Sequence, residues 1–205
     1  MVRNVTLTID HKSVTVPENT TILEAARSVN INIPTLCYLK DINEIGACRI
    51  CVVEVKGAKS LVASCVYPVA EGMEVYTNTE KVRHSRQLTL ELILSNHERK
   101  CLSCVRSQNC ELQDLAKELG VEENRFEGEN IHYPLDNFSP SIVRDPNKCI
   151  LCRRCVTACA EIQKVGAIQA QNRGFDTMVS PAMGLPLNST SCAMCGQCTI
   201  VCPTG

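Results

Sequence analysis

KCILCRRCVTAC, from Lys148 to Cys159, and CAMCGQCTIVCP, from Cys192 to Pro203, are the stretches from which the rest of the chain can be read. Each runs Cys-x2-Cys-x2-Cys-x3-Cys. The first holds Cys149, Cys152, Cys155 and Cys159; after 32 residues the second holds Cys192, Cys195, Cys198 and Cys202, with Pro203 directly behind. Two-residue gaps let three thiolates of one tight loop reach three corners of a cubane. The fourth thiolate, expected on the following helix, points away to a second cluster, so paired runs of this kind hold two [4Fe–4S] clusters. The spacing assigns Cys149, Cys152, Cys155 and Cys202 to one cluster, and Cys159, Cys192, Cys195 and Cys198 to the other. A zinc site would need only two Cys-x2-Cys pairs and would leave four thiols without a role.

Composition narrows the class. The 205 residues are 44% hydrophobic but include only 3 Phe, 4 Tyr and no Trp, so the cores must be aliphatic and small. That length suggests two or three small domains rather than one. Fifteen cysteines, an odd number, with no basic and apolar leader at the N-terminus, argue against a secreted disulfide scaffold. The expected home is a reducing one, most simply the cytoplasm. No apolar run approaches the roughly 18–20 residues that span a bilayer. A net charge of −1 gives no electrostatic footprint for nucleic acid.

Upstream, the pattern is α+β. Val5, Leu7 and Ile9 alternate with polar residues as a half-buried strand should, Asp10–Ser13 reads as a hairpin turn, and Val14–Val16 answers as the second strand. Thr21-x-x-Glu24 is a capping box that opens a helix with Ile22, Ala25, Ala26 and Val29 on one face. Strand-like runs follow at 52–55, 61–64 and 75–77. Residues 1–78 therefore read as a β-grasp domain. Set into it are Cys37, Cys48, Cys51 and Cys65, spaced x10, x2 and x13. Gly46 and Ala47 are small enough to let backbone N–H groups approach sulfur. Four thiolates from such a loop suit a [2Fe–2S] cluster, although the plant-type spacing is x4 and x2. The plainer alternative is a group of buried free cysteines.

Residues 79–140 read as a small helical domain with a linker. Val82, Arg86, Thr89, Leu90, Ile93, Leu94 and His97 share a helical face, and Leu112, Leu115, Ala116 and Leu119 share a second, with Gly120 as its cap. Between them lie Cys101, Cys104 and Cys110, three thiols without a fourth. His97 stands four residues before Cys101. Spacing alone allows it to be either a ligand or simply an imidazole near a helix C-terminus, where a cation is favoured. The count tips the balance: 15 Cys and one His make 16 ligands, four for each of four centres. His97, Cys101, Cys104 and Cys110 are thus the expected ligands of a third [4Fe–4S] cluster. His11, His84 and His132 sit in polar stretches and read as solvated. Residues 121–144, polar and interrupted by Gly128, Pro134 and Pro140, read as a draped connection. Residues 141–205 form the two-cluster ferredoxin-like domain, with short strands at 165–170 and 177–180. Arg153 and Arg154, between ligands, either offset cluster charge or lie in solvent. Val156, Ala158, Ile200 and Val201 are candidates for a dry wall around the clusters.

No G-x-G-x-x-G, P-loop, H-E-x-x-H or G-x-S-x-G motif occurs. One [2Fe–2S] and three [4Fe–4S] clusters, all fully ligated by protein, leave one-electron chemistry and no open iron for substrate. The expected role is a relay between partners. A zinc-binding structural module is the redox-silent alternative.

The whole chain resembles the N-terminal accessory region of multimeric, NAD-linked [FeFe]-hydrogenases. The resemblance lies in the cysteine order, in KCILCRRC from Lys148, in NRGFD from Asn172 to Asp176, and in CGQC from Cys195 with CPTG from Cys202. It implies a catalytic H-cluster domain elsewhere, since none is present here, and independently supports His97 as a ligand. It also implies partners: an NADH-oxidising subunit with FMN and iron–sulfur clusters, a small [2Fe–2S] subunit and, in bifurcating members, ferredoxin, in a hetero-oligomer. Ending three residues after Cys202, the ferredoxin-like domain reads as truncated. Similar modules occur in the diaphorase of NAD-reducing [NiFe]-hydrogenases, in NAD-linked formate dehydrogenases and in complex I.

Overall fold

The computed structural model of the protein describes residues 3–126 and 128–205. Strands β1 (Asn4–Ile9) and β2 (Lys12–Pro17) form an antiparallel hairpin, Val5 opposite Val16 and Leu7 opposite Val14. The turn is only two residues long. Asp10 and His11 both have positive φ, the tight reversal whose twist matches that of the strands it joins. The sequence suggests a turn over Asp10–Ser13, but Lys12 and Ser13 pair in the ladder. Strands β3 (Val52–Val55), β4 (Val62–Ala63) and β5 (Glu74–Tyr76) complete a five-stranded sheet in the order β2-β1-β5-β3-β4, with β1 and β5 parallel. The strands around β4 and β5 are shorter than, or shifted by a residue from, the runs read in the sequence.

Helix α1 (Ile22–Ser28) covers one face of this sheet. Ile22, Leu23, Ala25 and Ala26 are buried against Leu7, Ile9, Val14, Val53 and Val75. Thr21 caps it, accepting from the Glu24 N–H at 3.3 Å. The returning half of the expected capping box is not made. The Glu24 carboxylate instead accepts from the Tyr38 hydroxyl at 2.8 Å and pairs with Arg27 and Lys40.

Helix α2 (Glu80–Ser95) buries Val82, Arg86, Leu90 and Leu94. Arg86 crosses to the sheet. Its Nε donates to the Ile50 carbonyl at 3.1 Å and its Nη2 to that of Val52 at 2.8 Å. Helix α3 (Glu111–Glu118) ends in a Schellman motif. Gly120 takes φ +65, its N–H donates to Lys117 O, and Val121 N–H donates to Ala116 O.

Residues 128–144 carry no helix or strand, apart from one bridge between Asp136 and Arg144. Beyond them the structure is made of short pieces: α4 (Arg154–Thr157) running into a π-helical turn at Ala158–Ile162, an antiparallel pair β6 (Gln169–Gln171) and β7 (Met178–Ser180), and α5 (Gln197–Ile200). One hydrophobic cluster draws on all three sequence segments: Leu36 and Ile50, Leu90 and Leu112, and Cys152. Among the described residues, no helix is long and apolar enough to cross a membrane.

Replacing Arg86 with Leu leaves the Ile50 and Val52 carbonyls buried without their charged donor. Chemical denaturation of that variant should show a loss of about 2–4 kcal/mol, on the basis of two hydrogen bonds to a charged group. A loss below 0.5 kcal/mol would mean that Arg86 does not staple α2 to β3.

Candidate metal centres

The thiols of Cys37, Cys48, Cys51 and Cys65 are all buried. Cys37 and Cys48 flank a loop that turns at Gly46 (φ +63), where an added Cβ would press on Val66 at 3.3 Å. Cys65 lies in the turn after β4, not in the strand as the sequence implied. Cys51 and Cys65 approach to 3.3 Å between sulfurs, and the Cys48 N–H donates to the Cys37 sulfur at 3.4 Å. Thiols this close share protons. Cys37 is held low by hydrogen bonds from Cys48 and Cys65 and then by backbone N–H groups of Cys48 and Ala47, while Cys48 and Cys65 are driven up. Four such thiols can all ionise together only with positive charge among them, which is what two ferric ions supply. The donor set therefore fits a cluster.

His97, Cys101, Cys104 and Cys110 line one cavity, with Arg106 and Gly205 beside them. α2 ends at Ser95, so His97 lies just past the helix rather than on its face. Its Nδ1 is buried with no hydrogen-bond partner. Burial pushes the imidazole below its usual pKa, against the pull of the Lys148 backbone, and so toward the neutral form that ligates metal. An orphaned buried nitrogen beside three thiols is the observation that fits a metal here. Cys110, the residue before α3, is raised by burial. The segment after Cys202 closes this site: the Cys110 sulfur lies 3.6 Å from Pro203 O, and a Cβ on Gly205 would stand 2.5 Å from the Cys104 sulfur.

The last cysteine of each run comes to lie near the other run. Burial raises the thiols of Cys149, Cys152 (to about 12) and Cys155, and each senses the charge of Cys202. Cys159, Cys192, Cys195 and Cys198 line a second cavity, walled by Ile142, Val165, Ile168 and Leu187. Cys198 is raised by burial first and then by Cys192, Cys159 and Cys195. The local folds differ somewhat from expectation. Cys155 and Cys198 sit within α4 and α5, Cys159 in the π-turn, and Cys202 past the end of α5. Met194 N–H donates to the Cys192 sulfur at 3.3 Å, and Leu151 N–H to that of Cys149 at 3.4 Å. Met194 and Leu151 both have positive φ, which turns successive N–H groups toward sulfur. Among the described residues, no three His, Cys, Asp or Glu close tightly enough to hold one ion directly.

Among the neighbouring residues one reading changes, one open choice is decided, and one arginine appears that the sequence did not single out. Ile200 is 69% exposed and walls nothing; the apolar lining comes from Ile142, Ile168 and Leu187, which periodicity did not single out. Arg153 is exposed, but Arg154 is buried in a two-pronged ion pair with Glu111 at 2.6 and 2.8 Å. Arg106 donates to the Cys202 carbonyl at 3.0 Å while lining the His97 cavity. His11, His84 and His132 are exposed, as expected.

Residues 2–80 match the family described as 2Fe-2S iron-sulfur cluster binding domain, residues 86–125 the NADH-ubiquinone oxidoreductase-G iron-sulfur binding region, and residues 139–205 the 4Fe-4S dicluster domain. The NADP-reducing hydrogenase subunit HndD of Solidesulfovibrio fructosivorans is 46% identical over 98% of this chain and 35% of its own length. The NADPH-Fe(3+) oxidoreductase subunit alpha of Geobacter sulfurreducens is 42% identical over 98% of this chain and 24% of its own. The chain thus spans between a quarter and about a third of these relatives. A chain in the crystal structure of an H2-reduced NAD+-reducing [NiFe]-hydrogenase superposes with a TM-score of 0.91 at 31% identity, covering 98% of this chain and 85% of that one.

His97→Cys should leave the iron content intact and lower the midpoint potential of one [4Fe–4S] centre, because thiolate adds the negative charge that imidazole withholds. Potentiometric titration followed by EPR reads this directly. An unchanged spectrum and potential would remove His97 from the ligand set.

Proposed function

The chain belongs to the NADH-ubiquinone oxidoreductase-G-like iron–sulfur family shared with NAD(P)-linked hydrogenase subunits, and on that premise we propose that it is an electron relay of one [2Fe–2S] and three [4Fe–4S] clusters. Residues 1–78 would hold the first through Cys37, Cys48, Cys51 and Cys65. Residues 79–140 would hold the second through His97, Cys101, Cys104 and Cys110. Residues 141–205 would hold the other two, one through Cys149, Cys152, Cys155 and Cys202 and one through Cys159, Cys192, Cys195 and Cys198. Bound there, the clusters supply one-electron transfer and nothing else.

The observation that carries this reading is the grouping of the ligands. His97 with its three cysteines lines one cavity, and four cysteines from two distant runs line another. The protein's own contribution is physical. Thiolates would fix each centre, backbone N–H groups donate to sulfur, and Ile142, Ile168 and Leu187 give the last set an apolar wall on one side. Water exclusion and hydrogen bonds to sulfur are the levers that set cluster potential.

The relay would serve a larger assembly. The hydrogenase names of two relatives favour a terminal site that handles H2, of the [FeFe] type suggested by Arg173-Gly174-Phe175 and Cys195-Gly196-Gln197-Cys198. An NADH-oxidising flavin subunit and a small [2Fe–2S] subunit are the proposed partners in a cytoplasmic hetero-oligomer, with ferredoxin if electrons bifurcate. The NADPH-Fe(3+) oxidoreductase and [NiFe] relatives favour a second reading, in which the same relay feeds a different terminal site.

Elemental analysis of the native complex, purified without oxygen, separates these readings. The relay alone accounts for about 14 irons per chain, from one two-iron and three four-iron centres. Iron beyond that, without nickel, molybdenum or tungsten, supports the [FeFe] assignment. Nickel, molybdenum or tungsten keeps the relay and moves the terminal chemistry elsewhere. Zinc in place of iron overturns the relay itself.

A further inference from the structure

Asn43 lies in the loop that leads from Cys37 to Cys48, and it is 1% exposed. Its backbone is locked to Leu39 by two hydrogen bonds, of 2.7 and 3.0 Å. Its side chain reaches out of the first sequence segment. Nδ2 donates to the Cys37 carbonyl at 2.8 Å and to the Cys152 carbonyl at 3.1 Å. Oδ1 accepts from the Thr157 hydroxyl at 2.7 Å, at the end of α4. Both amide hydrogens are thus spent on the backbones of two candidate ligand residues, and the amide oxygen is spent on the helix that carries Cys155.

A carboxamide suits this place for a definite reason. Two carbonyl oxygens must be bridged by two donors on one atom, and a hydroxyl facing them must meet an acceptor. Aspartate has no donor to offer and would set its charge against both carbonyls. Serine is too short to reach both. The junction is otherwise dry: Leu36, Cys37 and Cys152 belong to the same buried cluster. The Arg154 guanidinium sits near enough to sense both Cys152 and Cys37.

We propose that Asn43 is the positioning residue of this junction, setting the separation and orientation of the Cys37–Cys48–Cys51–Cys65 centre against the Cys149–Cys152–Cys155–Cys202 centre. The inference rests on the ligand assignment proposed above. An electron crossing here leaves one centre one unit more oxidised and the other one unit more reduced, with no bond or proton moved. Spacing and orientation are then what the polypeptide controls, and they are held by side chains that pack and hydrogen-bond around the ligands rather than by the ligands alone.

The test uses the full-length protein with its clusters in place. Asn43→Asp keeps the shape and removes both donors; Asn43→Ser shortens the reach. Iron content, the EPR spectrum of each reduced centre and the magnetic dipolar interaction between the two are measured together. The expected result is full iron, unchanged individual g-values and a reduced dipolar splitting, which falls with the cube of the separation. Unchanged splitting in whichever variant keeps its iron overturns the proposal, even if its melting temperature drops, because a merely structural role would lower stability alone. Should both variants lose iron, Thr157→Val decides: it removes only the hydroxyl that orients the amide, and an unaltered splitting there overturns the proposal equally. Cys37→Ser and Cys152→Ser serve as the separate check on the ligand assignment. If neither removes or alters its own centre's signal, that assignment has failed and the position of Asn43 is not the cause.

Discussion

Mutual repulsion among close thiolates in a water-poor interior is the constraint on which this structure depends. Buried thiols held within a few ångströms cannot ionise together without compensating charge. The chain provides little of that charge itself. Arg154 is committed to Glu111, and Arg106 to the Cys202 carbonyl. Backbone N–H groups at Cys48, Leu151 and Met194 supply partial positive charge, and the remainder fits iron. With so few aromatic residues the hydrophobic clusters are small, and cysteines form part of each of them. Folding and metal binding in such a chain are coupled.

The same constraint explains how the three segments are tied together. At two of the places where ligand sets meet, a polar side chain or the segment 203–205 bridges them through backbone carbonyls. Asn43 joins Cys37 to Cys152. Arg106, Pro203 and Gly205 join the His97 site to Cys202. Cys155 on α4 senses the charge of Cys198 on α5. The Cys149–Cys152–Cys155–Cys202 set thus has each of the other three sets as a neighbour. Carbonyl contacts of this kind fix geometry without consuming a sulfur, so the ligands remain free for metal.

Much of this was legible in the sequence because it is written in short-range patterns. Alternation gave β1 and β2, helical spacing gave α1 to α3, and cysteine spacing alone foretold that Cys159 would stand beside Cys192, Cys195 and Cys198. What escaped was either conformational or long-range. Whether a turn takes two residues or four depends on Asp10 and His11 accepting positive φ, which both residue types tolerate but neither announces. Arg154 and Arg153 are adjacent and chemically identical, yet one is buried and one exposed; only the position of Glu111, 43 residues away, separates them. Asn43 carries no local signal, since its partner lies 109 positions downstream. The exposure of Ile200 is not legible because α5 is a single turn, too short for periodicity to say which face is covered.

The central claim is that four redox centres share this chain, and an anaerobic redox titration followed by EPR tests it most directly. The account predicts four one-electron centres, one with the spectrum of a [2Fe–2S] cluster and three of the [4Fe–4S] kind, with magnetic interactions among neighbours. A protein that is colourless and EPR-silent at every potential, with zinc at the cysteines, would contradict it.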